Sequence, residues 1–246
     1  MKTKLFFLLG VLLLVQLACA IPTSQSDCGP TLDQETLDNL ALDMSNTVQV
    51  MPGESHQFNL GVVECCYVFT EVDACADWTV TPMEGASISA DGLLTVAADA
   101  TNGSVYTVSA DVEDGRRVVD IEVHVFDPQE NPLVGLWREQ GQYTCADGEY
   151  VVPAEKIGEL EFRADGRFYV TWQPFELYRD YWGTYTFDLA AGTLALNVEG
   201  GNHVPEETDL EGRFSIDADG KLVLEDMWLG YPPFAELSQN CGYLFQ

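Results

Sequence analysis

Six of the seven cysteines, one histidine beside two acids, four repeated Asp-Gly turns and a run of aromatic residues are the groups here from which chemistry could be built. Cys28, Cys65, Cys66, Cys75, Cys145 and Cys241 make an even set, and an even set in an exported chain reads as disulfides. Cys145 and Cys241 are the only pair in the C-terminal half, so they are expected to join. The loop they close is long, and the chain-entropy model assigns it about 4–5 kcal/mol of stabilisation. Cys65 and Cys66 are adjacent, and on a strand they would face opposite sides. One is therefore expected to take Cys75 and the other Cys28. Zinc sites use paired C-x₂₋₄-C spacings with histidine nearby; that pattern is absent, and no metal is expected.

His203 with Glu206 and Glu207, in GGNHVPEETDLEG, is the one His–carboxylate cluster. Such a group can hold a metal weakly or act as a base, but a single histidine in an acidic loop is more simply read as solvated. His56 and His124 fall in strands, with no recognisable nucleophilic serine or free cysteine to join them. Acids are so abundant that no two stand out as a glycosidase pair. Ala90-Asp91-Gly92, Ala146-Asp147-Gly148, Ala164-Asp165-Gly166 and Ala218-Asp219-Gly220 repeat one tripeptide. A calcium loop needs further oxygen ligands and a distal bidentate Glu, for which Ile216 to Leu222 leaves no room, whereas Asp-Gly suits a tight hairpin. No catalytic residue and no cofactor is assigned, and the chain is read as not an enzyme. The best binding lead is TWQPFELYRDYW, where Trp172, Phe175, Tyr178, Tyr181 and Trp182 crowd around Pro174 and Arg179. At a barrel mouth they could stack on a sugar or cap an apolar ligand; the plainer reading is a hydrophobic plug. Tyr231-Pro232-Pro233-Phe234 could complete the same patch.

These groups must be carried by elements outside the cytoplasm. Lys2 and Lys4 precede an apolar stretch from Leu5 to Val15, too short to span a bilayer, which takes about 20 residues, but right for the core of a signal peptide over residues 1–20. Two processing routes are open. Ala18-Cys19-Ala20 offers an A-x-A site with a start at Ile21, while Leu17-Ala18-Cys19 resembles a bacterial lipobox, which implies lipidation of Cys19 and anchoring by its acyl chains. Either route takes Cys19 out of the disulfide pool. The chain holds 40 Asp and Glu against 11 Lys and Arg, a formal net charge of −29. So acidic a surface excludes nucleic acid, which is bound through cationic surfaces. It also disfavours anionic lipid headgroups, leaving the N-terminal anchor as the only membrane attachment.

Past a polar spacer at 21–36, strand patterns fill the chain, with at most a turn of helix within Thr31 to Leu40. The run from 37 to 127 alternates in short strands: Val48 and Val50, Phe58 and Leu60, Trp78 and Val80, Leu94 and Val96, then Val105 to Ala110 and Val118 to Val125. That spacing indicates a sandwich. Trp78 to Val112, with its Trp strand, the glycine spacing around Asp91-Gly92 and the closing V-Y-T-V-S-A, resembles the bacterial Ig-like (BIG2) family. The resemblance implies a spacer or adhesion module without catalytic residues.

Two prolines, Pro128 and Pro132, flank a polar joint, and hairpins fill 131–246. Leu160 and Phe162 turn at Ala164-Asp165-Gly166 into Phe168 and Val170. Tyr185 and Phe187 turn at Ala190-Ala191-Gly192 into Leu194 and Leu196. Phe214 and Ile216 turn into Leu222 and Leu224. Each has one apolar and one charged face, so an antiparallel meander closing into a barrel is expected. Gly135-Leu136-Trp137, with the F-x-A-D-G-x-F hairpin and G-T-Y-T-F followed by G-T-L-x-L, resembles lipocalin-like (calycin) barrels. The expected fold is therefore all-β, an Ig-like sandwich followed by a lipocalin-like barrel. The expected function is non-enzymatic binding of a small apolar molecule, a glycan or a surface protein by a secreted or surface-anchored chain. A purely structural envelope protein is the alternative, and an extracytoplasmic hydrolase a remote third.

Overall fold

The computed structural model describes residues 29, 31–44, 47–64, 68–175, 178–233 and 240–246. The leader with Cys19, and also Cys28, Cys65, Cys66 and Phe234, lie outside them. Among the described residues no helix is long and apolar enough to cross a membrane. The fold is all-β and its apolar side chains gather into two separate cores, one drawn from residues 37–125 and one from 133–245.

The first core is layered between small sheets. After a one-turn helix α1 (Gln34–Asp38) come β1 (Leu40–Ala41), β2 (Thr47–Val50), β3 (Ser55–Gln57), β4 (Gly61–Glu64), β5 (Val68–Glu71), β6 (Ala76–Thr81), β7 (Ala86–Ile88), β8 (Leu93–Val96), β9 (Val105–Val112) and β10 (Arg117–Val125). They form sheets ordered β2-β10-β9-β6, β1-β4-β5 and β3-β8-β7. Alternation decides the inner face: Tyr106, Val108, Ala110 and Val112 of β9 and Ile121, Val123 and Val125 of β10 point inward. β2 joins β10 in parallel, a pairing that local periodicity does not reveal. The spacer is shorter than its polarity suggests. Leu32 packs on the first core and Leu37 is fully buried within it, while the Asp33 side chain accepts from the Thr36 N–H and caps α1.

The second core fills one closed sheet. Its strands are β11 (Gly135–Trp137), β12 (Glu139–Tyr143), β13 (Tyr150–Val151), β14 (Glu159–Phe162), β15 (Arg167–Thr171), β16 (Tyr181–Asp188), β17 (Thr193–Gly201), β18 (Glu211–Ile216), β19 (Leu222–Glu225) and β20 (Gly242–Phe245). From β14 to β20 each strand pairs antiparallel with the next, the meander expected from the hairpins. β11 and β12 are one run broken only at Arg138. β11 pairs with β14 and β12 with β20, and Arg138 exchanges both backbone hydrogen bonds with Gln246 at 2.8 and 2.9 Å. That run therefore joins the first and last strands of the meander, and the sheet closes on itself. Phe162, Phe168, Leu160, Leu194, Tyr181, Tyr243 and Phe245 are all essentially inaccessible, so the barrel body is packed with side chains.

The Asp-Gly tripeptides are turns. Gly92, Gly148, Gly166 and Gly220 all adopt positive φ, between 70° and 82°; Asp147 and Asp165 accept from the N–H groups of Glu149 and Arg167, and in the fourth turn Asp217 accepts from those of Asp219 and Lys221. Cys145 and Cys241 form a disulfide across a sequence separation of 96. Cys75 is also disulfide-bonded. A disulfide framework belongs to an oxidising compartment, so this is a protein of the extracytoplasmic space.

Candidate functional site

The aromatic run has three fates rather than one. Trp172 follows β15 and is buried, and Tyr181 opens β16 with its ring wholly inside the barrel. Trp182, next in sequence, must face the opposite side of the strand and its ring lies over Gly200 on the neighbouring β17. Phe175 is 70% exposed and Tyr178 38% exposed on the intervening loop. A single aromatic loop over the mouth is thus corrected: strand periodicity separates Tyr181 from Trp182, and of the five only Trp172 enters the concavity described next.

That concavity is a cleft of about 800 Å³ at one mouth of the barrel. It is lined by Trp172, Trp228 and Tyr231 with Pro232 and Pro233, and by the run from Val151 to Glu155; Gln142, Gln173 and Asn240 supply side-chain amides. Buried phenols hold the aromatic wall in place. The Tyr181 hydroxyl donates to the Leu229 carbonyl at 2.8 Å, and the Leu229 N–H donates to the Tyr243 oxygen at 2.9 Å. Trp228 stacks on Tyr243, with centroids 5.9 Å apart, and exchanges backbone hydrogen bonds with Asp209. Burial holds both phenols protonated, well above the usual tyrosine range. Trp172 is fixed from below by Asp180, a buried carboxylate that accepts from the Trp172 N–H at 2.8 Å and the Tyr178 hydroxyl at 3.1 Å.

Beneath the amides sits a buried acid. Glu139 and Gln142 are three residues apart and would face opposite sides of a regular strand. A register shift between Glu139 and Gly141 turns both inward, as bulges do. Glu139 is 3% exposed. Its Oε2 accepts from the Ile157 N–H at 2.7 Å, while its Oε1 has no hydrogen-bond partner among the described residues. Gln142 adjoins this carboxyl and in turn accepts from the Asn240 amide, so Asn240, Gln142 and Glu139 descend from the cleft into the core. Burial pushes Glu139 up to about 7, against the smaller opposing pulls of the Ile157 N–H, Gln142 and Lys156.

His203 does not gather Glu206 and Glu207, both of which are exposed. Its ring lies against Trp172 and its Nε2 is 3.0 Å from the Tyr231 carbonyl oxygen, so it braces the aromatic wall. Among the described residues no three His, Cys, Asp or Glu side chains are gathered as a metal site. Sequence reading missed Glu139, Gln142, Asn240 and Trp228. Its usable pointers were Trp172 and Tyr231-Pro232-Pro233, which do share the cleft.

No protein-family model matches this chain, and no curated protein is similar enough to count as a relative. A crystal structure from Bacteroides ovatus, described as a structural-genomics protein of unknown function, aligns over 84% of this chain and 92% of its own, at 11% identity and a TM-score of 0.28.

Proposed function

We propose that this chain is a non-catalytic binding protein of the extracytoplasmic space, whose barrel takes a small, apolar-bodied ligand at one mouth. In this reading the N-terminal signal peptide exports the chain, which is then either anchored through a lipidated Cys19 or released with Ile21 first, and the first unit is an Ig-like spacer presenting a lipocalin-like barrel. The observation that carries it is the composition of the cleft. Aromatic and proline surface shares about 800 Å³ with three side-chain amides, the mixture by which small-molecule sites combine apolar contact with a few orienting polar groups. The packed barrel body favours a second reading, a structural envelope protein without a ligand.

Titration with the neutral fluorescent reporter N-phenyl-1-naphthylamine separates the two. A saturable rise in fluorescence is expected, weakened about tenfold by Tyr231→Ala, since a well-buried ring contributes roughly 1–3 kcal/mol. Phe175→Ala, on the exposed loop, should leave it unchanged. A linear, unsaturable signal would leave only the structural reading.

A further inference from the structure

The cleft's charge pattern narrows the ligand further, on the reading that the cleft binds at all. Among the described residues that line it, Glu155 alone carries a formal charge, and none is Lys, Arg or His. Trp172, Trp228 and Tyr231 present aromatic rings, to which a cation is attracted by the ring quadrupole. Under Gln142 lies the Glu139 carboxyl, nine-tenths buried and more, whose second oxygen has only the Gln142 side chain beside it and makes no well-formed hydrogen bond. Glu139 does not itself line the cleft, so a cation seated over Gln142 would act on the buried carboxyl through its charge and not as a hydrogen-bond donor. The net charge of −29 acts in the same direction, concentrating cations and repelling anions at the surface.

We infer that the mouth cleft selects organic cations, small amines with an apolar body, whose ammonium group is drawn to the Gln142–Asn240 amides above Glu139. The body lies along the aromatic wall. The charged and titratable groups around Glu139 are Lys156, from the run before Ile157, and the Tyr243 phenol on β20. Tyr243 stays neutral, and Lys156 does not line the cleft, so neither replaces the ligand's charge there. Because Glu139 titrates at about 7, a bound cation favours its ionised form. Affinity for an amine should then rise between pH 6 and 8 with release of up to one proton.

The test is displacement of N-phenyl-1-naphthylamine from the full chain by 3-phenylpropylamine, 3-phenyl-1-propanol and 3-phenylpropionate. The amine is expected to compete about tenfold better than the alcohol at pH 8, and the carboxylate worst of all. Glu139→Gln should remove the pH dependence of the amine's affinity and narrow its advantage over the alcohol, the part owed to the aromatic wall remaining. Calorimetry in buffers of different ionisation enthalpy should show proton release by the wild type alone. Equal competition by alcohol and amine, or a pH-independent amine affinity in the wild type, overturns the inference but leaves the binding reading standing. If the reporter does not bind, both fall. Should Glu139→Gln fail to fold, the wild-type pH profile and proton release decide the matter.

Discussion

Glu139 carries a cost that its position in the fold explains. A free glutamate titrates at 4.5, and burial raises this one to about 7. The sign follows from linkage: below 4.5 the group is protonated folded or unfolded, and no pH dependence arises. Above 4.5 the unfolded chain ionises while the folded one holds its proton, so stability falls until about pH 7 and stays low beyond it. The difference corresponds to a penalty of about 3 kcal/mol at pH 8. Glu139→Gln keeps an oxygen for the Ile157 N–H and removes the charge. Urea unfolding should therefore show the variant more stable than wild type by about that amount at pH 8, with the two nearly equal at pH 4.5. A variant no more stable at pH 8 would mean that the carboxylate is satisfied in a way its unpartnered oxygen does not suggest.

Register, at the scale of the strand, decides which residues meet. At Trp182/Gly183 the pairing of β16 with β17 slips by one, and a Cβ on Gly183 would lie 1.8 Å from the Asn197 carbonyl oxygen. Backbone cannot step aside cheaply, so Gly183→Ala should cost about 3 kcal/mol or more, in line with strained overpacking. Gly103→Ala, where nothing lies within 4 Å of the added carbon, meets only its positive φ and should cost about 1 kcal/mol. Chemical denaturation of the two variants makes the comparison, and similar losses would remove the claim that the slip requires glycine. These slips also mark the limit of what the sequence made legible. The hairpins at 159–171, 181–201 and 211–225 could be read from alternation and Asp-Gly or Gly turns, because both are local. The joining of Cys145 to Cys241 followed from counting. The cleft could not be read, since Glu139 and Gln142 share a face only through the bulge in β12. Trp228 likewise lies in a non-strand segment whose burial depends on two distant phenols. The parallel pairing of β2 with β10 spans the whole first unit and leaves no periodic trace.

Across the whole molecule, the two cores are separate but their surfaces are tied. Arg163, at the first barrel turn, donates to the Thr47 carbonyl and hydroxyl on the edge of β2, and the Ala164 N–H donates to the Gln49 side chain. The joint is held too: Asn131 donates to the Tyr185 hydroxyl at 3.0 Å, which donates to the Arg163 carbonyl at 2.8 Å. The barrel is thus presented by its neighbour in a set orientation, with the edge of β2 covered against pairing with other chains. The covalent tie acts within the barrel. Cys145 and Cys241 follow β12 and precede β20, adjacent strands at the cleft end, and the loop they close contains nearly the whole meander. Opening that loop should free the unfolded chain far more than it alters the folded one, a loss of about 4–5 kcal/mol on the entropic model. The double variant Cys145→Ala/Cys241→Ala should accordingly melt well below the wild type while keeping its strand circular dichroism at low temperature. Because Asn240 borders Cys241 and lines the cleft, the folded variant should also bind the reporter more weakly. A melting temperature within a degree or two of wild type would show that the closed ladder, and not the cross-link, holds the first and last strands together.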